Sequence, residues 1–250
     1  MSDSPPTEKP SAGRVAGMWA KEIAIVVVGA LVASTLLRLF VAQMFVIPSG
    51  SMENTLLIRD RVMVQKVVGW SRGDIVVFRD TQGWLADPVE ETDPVRRTLI
   101  FIGLAPDESS NHLIKRVIGL PGDHVKCCDA QGRLTVNGQP LDEGAYLYAE
   151  GGETVAPSAM PFDVVVPKDR LWVMGDHRNN SQDSRCHLNE GTGGMAAFVP
   201  TADVVGSSVA VVFPFDRLHG LSRPTTFDQV PGSTSPPPDR PVITGPIPVC

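Results

Sequence analysis

A β-dominated body behind a single apolar helix is the fold class this chain predicts. Residues 20–48, AKEIAIVVVGALVASTLLRLFVAQMFVIP, form one long apolar run near the start. Beyond it, short runs of β-branched and apolar residues recur between turn residues, with little helical periodicity. The chain also carries 23 glycines and 22 prolines but only 6% aromatic residues, as strand-and-turn architecture with a proline-rich tail would. Many short strands with turn punctuation argue a mainly β domain with an inserted hairpin-rich subdomain.

The elements follow in order. Residues 1–18 are polar, with Pro5, Pro6, Pro10 and Gly13, and read as a disordered cytoplasmic tail. The section Ile23 to Leu37 is uncharged, and only Arg38 interrupts the apolar stretch that continues to Ile47. About 20 apolar residues span a bilayer core, so 19–46 is expected to be a transmembrane anchor. Arg38 is tolerable there if it snorkels to an interface. A secretory signal peptide competes with this reading, but Val46-Ile47-Pro48-Ser49-Gly50-Ser51 offers no convincing cleavage site. Lys9, Arg14 and Lys21 precede the run and favour a cytoplasmic N-terminus. The rest of the chain then lies outside.

Residues 47–222 are expected to form the extracytoplasmic domain. Glu53 to Leu56 reads as a helical turn or loop, and strands are expected at Arg61–Val68 and Ile75–Phe78. Trp84 falls in an irregular stretch, exposed or partly buried, and Pro94 to Leu104 can begin a helix at its proline. The next strand is Leu113–Ile118. Asn137-Gly138 after Leu134-Thr135-Val136 is a strong hairpin signal within the subdomain, placed at about 124–172. Strands at Asp163–Val166, Leu171–Met174 and Val204–Phe213 complete the body. Residues 223–250, rich in proline, serine and threonine, lack apolar periodicity and read as a disordered tail.

A net charge of -6 without any basic block argues against nucleic acid as a partner. The four cysteines, Cys127, Cys128, Cys186 and Cys250, lack zinc spacing, so no structural metal is expected. Outside the cytoplasm, Cys127 or Cys128 can bridge to Cys186; otherwise all four stay reduced.

Three stretches carry chemistry. Pro48-Ser49-Gly50-Ser51-Met52 can present a serine on a tight loop, because proline limits φ and glycine permits unusual backbone. A serine hydroxyl needs a base. His112, His124, His177, His187 and His219 sit in no triad motif, and G-x-S-x-G is missing, so each reads as a surface or loop residue. Lys115 lies inside the apolar strand LIKRVI. Alternation sends Lys115 and Arg116 to opposite faces, so one of them points inward. Burial can lower a lysine pKa from about 10.4 by up to 3–5 units, enough to make a general base. An edge-strand lysine that discourages aggregation is the commoner use of such a residue. The third stretch, Gly175 to Arg185, follows strand LWVM and is denser in polar side chains than a simple turn needs. Ser181 can orient a lysine amine and Asp183 can pair with Arg185, although an Asx-rich turn is also consistent. Calcium-loop spacing is not met.

The segments PSGSM (48–52), RGDIVVF (72–78), IKRVIGLPGD (114–123) and GDHRNNSQDSR (175–185) resemble, in order, the boxes of bacterial signal peptidase I. The resemblance covers most of residues 20–215. It implies a serine endopeptidase that removes signal peptides from exported preproteins, cutting after small, A-x-A-like residues without metal or cofactor. Ser51 is then the nucleophile and Lys115 the base. The Ser51 N–H and the Ser49 hydroxyl form the oxyanion hole. Ser181, Asp183 and Arg185 support the site, and Ile47, Met52, Leu56, Leu113 and Ile114 wall the substrate pockets. The implied partners are preproteins, the lipid bilayer of the bacterial cell membrane and a nearby secretion translocon. The chain departs from the family in Leu113, where an aromatic residue is frequent, in His177, where asparagine is common, and in Cys186. Two other readings compete. Penicillin-binding proteins pair serine with lysine but need S-x-x-K, S-D-N and K-T-G motifs, which do not occur around Ser51. A membrane-anchored β-domain that binds a wall or protein partner would explain the anchor and strands without using Ser51 or Lys115.

Overall fold

A computed structural model describes residues 12–85, 92–101, 111–188, 193–248 and 250. Helix α1, Ala12–Phe40, begins within the stretch expected to be disordered; residues 1–11 lie outside the described residues. Within α1, Gly17–Phe40 contains an 18-residue window of mean hydropathy 2.4, none of it buried in the protein, so the helix is long and apolar enough to cross a membrane.

The helix stops six residues short of the expected boundary at 46. Ala42–Val46 forms strand β1 and pairs antiparallel with β2, Arg61–Gln65, placing Phe45 opposite Val62. The reason lies in the period. In Ala42-Gln43-Met44-Phe45-Val46-Ile47, Phe45 and Ile47 alternate inward and are buried, a two-residue repeat concealed by overall hydropathy. Both join Met52, Leu56, Val62, Val64, Ile75, Val77, Ile114 and Val211 in one core cluster.

Strand β3, Ile75–Arg79, precedes the short helix α2, Pro94–Phe101, which starts at its proline as expected; the expected end at Leu104 lies outside the described residues. Strand β4, His112–Gly119, leads into the subdomain built from β5, His124–Cys127, β6, Thr135–Val136, and β7, Gln139–Pro140. Asn137 (φ 52°) and Gly138 (φ 80°) turn β6 into β7 in the left-handed region that a two-residue hairpin demands. Strands β8, Ala149–Glu150, and β9, Glu153–Thr154, form a separate ribbon. They are followed by β10, Phe162–Val165, β11, Arg170–Met174, β12, Val199–Pro200, β13, Val204–Phe213, β14, His219–Gly220, and β15, Val242–Ile243.

The main sheet runs β1-β2-β13-β3-β4-β11-β12, with β14 on β13, and the second sheet runs β15-β10-β5-β6-β7. All of their pairings are antiparallel. Strand β4 lies inside the main sheet between β3 and β11, and six consecutive residues, 114–119, are buried. Both Lys115 and Arg116 are therefore enclosed, where the sequence suggested one inward residue.

The segment 223–250 is packed rather than disordered. Phe227 and Val230 enter the larger core cluster beside Tyr146 and Trp172. Strand β15 pairs with β10, the Pro238 carbonyl accepts from Lys168 N–H at 2.8 Å, and Cys250 is disulfide-bonded to Cys186. Widely spaced apolar residues and free backbone carbonyls suffice to dock an extended segment, and neither makes a helical or strand period. Cys127 pairs with its neighbour Cys128, so the expected bridge from either of them to Cys186 is not formed.

Candidate active site

The residues Gly50–Met52 form one 3-10 turn, entered from extended backbone at Ser49. The Glu53 N–H donates to the Gly50 carbonyl at 3.0 Å, and Leu56 N–H donates to Met52 at 2.8 Å. Met52 and Leu56 are fully enclosed below the turn, so it stands on the core with Ser51 held in place. Ser49 is exposed, and its side chain makes no capping bond.

Lys115 reaches this turn from β4. Its Nζ donates to Ser51 Oγ at 2.6 Å, and both residues are buried. Burial strips water from the ammonium and lowers the Lys115 pKa to about 8; Asp183 and Asp176 work against this shift, and Arg185 adds to it. A substantial neutral fraction therefore exists in mildly alkaline solution.

The 175–185 segment closes the site from the other side. His177 N–H donates to the Ser51 carbonyl at 3.1 Å, and Thr55 Oγ1 donates to Asp176 at 2.6 Å. Ser181 Oγ donates to Asp183 Oδ2 at 2.8 Å, so the bond observed for this hydroxyl goes to the carboxylate. Asp183 also accepts from Gly175 N–H at 3.0 Å and from Arg185 Nε and Nη2, each at 2.8 Å. Burial pushes the Asp183 carboxyl up, but the Arg185 charge and these hydrogen bonds outweigh it and hold the pKa low. Asp183 thus remains a fixed negative charge near Lys115.

Gly175 lies where Ser51 and Ser181 converge. A Cβ there would overlap both Ser181 Oγ and the Ser51 carbonyl oxygen. Gly175→Ala is expected to push the two apart and, for the peptidase activity that the sequence resemblance implies, to lower the cleavage rate about 100-fold, the order of loss that ~1 Å misplacement causes. Measured initial rates on a purified preprotein check this.

Of the five proposed wall residues, Ile47, Met52, Leu56 and Ile114 belong to one core cluster, while the half-buried Leu113 packs with Val76 and Phe78 in another. Ile47 is 1% exposed and Met52 and Leu56 are 0% exposed, so these three support the turn from beneath instead of walling an open cleft. Ile114 is 7% exposed. Of the residues expected to wall the substrate pockets, Leu113 alone is more than slightly exposed.

Sequence reasoning missed the ion pairs that surround the site. Arg116 forms a two-pronged pair with Asp176 at 2.8 and 2.6 Å, donates to Gly73 O at 2.6 Å and lies 4.3 Å over the Tyr146 ring. Arg178 pairs with Glu143, and Tyr146 Oη donates to the same carboxylate at 2.5 Å. An arginine beside Lys115 in a strand apolar on both faces was the available signal, because a buried guanidinium requires a carboxylate. His177 and His187 are also buried rather than on the surface: His177 contacts Glu53 and His187 stacks on the buried Trp84. Among the described residues there is no cluster of His, Cys, Asp or Glu suited to a metal.

Comparison with known proteins gives this geometry its context. Residues 19–213 match the family described as signal peptidase, peptidase S26. Signal peptidase I of Mycobacterium tuberculosis (strain H37Rv) is 36% identical over 221 residues, covering 79% of this chain and 74% of its own length. That of Leptolyngbya laminosa is 33% identical, covering 76% and 78%, and that of Bacillus amyloliquefaciens is 33% identical, covering 80% and 90%. Fold and matches together define a hydrolase of the peptidase class. The chain belongs to the signal peptidase family, peptidase S26.

Proposed function

We propose that this protein is a membrane-anchored serine endopeptidase that removes N-terminal signal peptides from exported preproteins, with Ser51 as nucleophile and Lys115 as general base. The observation that carries the reading is the 2.6 Å contact between Lys115 Nζ and Ser51 Oγ inside a buried site. Family membership gives the reaction class, and this contact supports the Ser/Lys reading of how it proceeds.

Neutral Lys115 accepts the Ser51 proton as Oγ attacks the scissile carbonyl. The Ser51 N–H and the Ser49 hydroxyl donate to the oxyanion, and Ser49 has its side chain free of the turn for this purpose. The tetrahedral intermediate collapses as the leaving amine takes a proton from Lys115. The signal peptide remains as an ester on Ser51. Water, deprotonated by Lys115, then releases it. Ser181, Asp183 and Arg185 act as support: Asp183 gathers Ser181, Gly175 and Arg185 into one hydrogen-bonded frame beside the lysine. No step calls for a metal or cofactor.

The substrate's cleavage region binds as an extended strand through backbone hydrogen bonds. Its small residues at the first and third positions before the cut fit shallow apolar ground beside the Ser51 turn, with the half-buried Leu113 as its accessible wall residue and the buried Ile114 behind it. Helix α1 spans the bacterial cell membrane with its N-terminus cytoplasmic and the β domain on the outer face, near the secretion translocon. Sharing one bilayer with a tethered preprotein raises the effective concentration of both.

Ser51→Ala is expected to abolish cleavage of a purified preprotein, with the variant still binding it. Equal cleavage by wild type and Ser51→Ala would refute the assignment, and absence of cleavage by both would favour a binding module.

A further inference from the structure

We propose that Glu53 and His177 form a positioning pair that fixes the Gly50–Ser51 peptide, the backbone unit whose N–H faces the developing oxyanion. This inference rests on the reading of Ser51 as nucleophile.

His177 Nδ1 lies 2.8 Å from Glu53 Oε2, with side-chain exposures of 11% and 27%. The Tyr148 ring stacks on the imidazole, centroids 3.8 Å apart and planes 22° apart, so the ring cannot swing freely. The same two residues also grip the turn through their main chains. Glu53 N–H donates to the Gly50 carbonyl at 3.0 Å, and His177 N–H donates to the Ser51 carbonyl at 3.1 Å. In a trans peptide, the carbonyl and the N–H point in opposite directions. Binding the Gly50 carbonyl within the turn therefore directs the Ser51 N–H away from it.

The Glu53 side chain secures that orientation. Its carboxylate folds back over Gly50, where an added Cβ would lie 2.8 Å from the carboxylate carbon and 2.9 Å from each oxygen. The carboxylate thus covers one face of the Gly50 backbone, and only glycine leaves room for it. Once His177 holds Glu53 there, a tilt of the peptide plane toward the carboxylate meets a fixed side chain, and a tilt away strains the Glu53 N–H bond to the Gly50 carbonyl. Neither side chain reaches the reacting atoms; both act through the backbone of residues 50 and 51. An oxyanion donor must lie within a narrow distance of the transition-state oxygen, so a small tilt is felt in the rate and hardly in substrate binding.

The test measures kcat and KM for a purified preprotein using the full chain in detergent, with unfolding midpoints recorded for each variant. Glu53→Ala and His177→Leu are each expected to lower kcat roughly 30-fold while leaving KM within about twofold. The double variant is expected to fall no further than the weaker single variant, because both remove one shared contact. His177→Asn places an amide donor where Nδ1 stands and is expected to restore kcat to within about threefold of wild type. A structural role alone would not give this rescue. The proposal is overturned if KM rises with kcat intact, if the two single effects multiply in the double variant, or if His177→Asn is as impaired as His177→Leu. Ser51→Ala, run alongside, keeps the two readings apart. Inactive Ser51→Ala with Glu53→Ala at wild-type kcat sinks the positioning pair alone, whereas active Ser51→Ala sinks the site.

Discussion

Lys115→Met is expected to lose cleavage by at least ~1000-fold and at the same time to make the protein more stable at neutral pH. The two effects share one cause. In the unfolded chain Lys115 titrates at its ordinary 10.5, and in the folded protein burial brings it to about 8. The folded state therefore binds the lysine proton less tightly, a penalty of about 3 kcal/mol that is fully present below pH 8. As pH rises from about 8 to 10.5, the unfolded chain retains a proton that the folded protein has released, and the penalty disappears. Methionine fills similar space without a charge. Its stability advantage over lysine in urea unfolding should be largest at pH 7 and shrink toward pH 10. In the wild type, the neutral fraction that drives catalysis rises about tenfold between pH 7 and 9, and kcat/KM should rise with it. A flat rate profile over that range, or a methionine variant no more stable at pH 7, would contradict the assignment.

Asp176→Ala is expected to destabilise the protein by about 3–5 kcal/mol, because it leaves the Arg116 guanidinium buried without its counter-charge. Arg116 is 2% exposed and Asp176 is 0% exposed, so water cannot take the place of the lost carboxylate. The substitution also frees Thr55, whose hydroxyl donates to Asp176, and so loosens the Ser51 turn from the 175–185 segment. The paired replacement Arg116→Met with Asp176→Leu removes both charges and should recover most of the stability but not the activity. Urea midpoints for the single and double variants measure this; equal losses in the two would show that the charge is not the cause.

The sequence was legible where one residue type answered to one constraint. Apolar runs at Ile75–Phe78 and Val204–Phe213 became strands because nothing else in them competes with burial. Asn137-Gly138 became a hairpin because both positions need positive φ. The pairing of Ser51 with Lys115 could be anticipated only through the four ordered segments that resemble signal peptidase I, because a lysine in an apolar strand is by itself more often an edge residue. Legibility failed where two signals overlapped. High hydropathy at Ala42–Val46 hides a period of two, so the apolar run outlasts the helix, which ends at Phe40. Proline and serine in 223–250 hid the docking residues Phe227, Val230 and Ile243, whose partners are distant in sequence. The ion pair between Arg116 and Asp176 joins residues 60 apart, and no local pattern announces such a partner.

Helix α1 passes into β1 through Val41 alone, and β1 is hydrogen-bonded into the main sheet from its first residue. No slack chain separates the anchor from the domain, and at most roughly 35 Å of extended backbone connects Val41 to Ser51. With α1 in a bilayer, Ser51 would be mounted at a set altitude above the lipid, like a blade on a fixed arm. Under the proposed function, a scissile bond would then have to sit at a matching depth, and one held too close to the membrane or too far from it would lie out of reach of Ser51 even when its flanking residues fit. The distance between the apolar segment of a signal peptide and its cut would then matter as much as the residues around the cut.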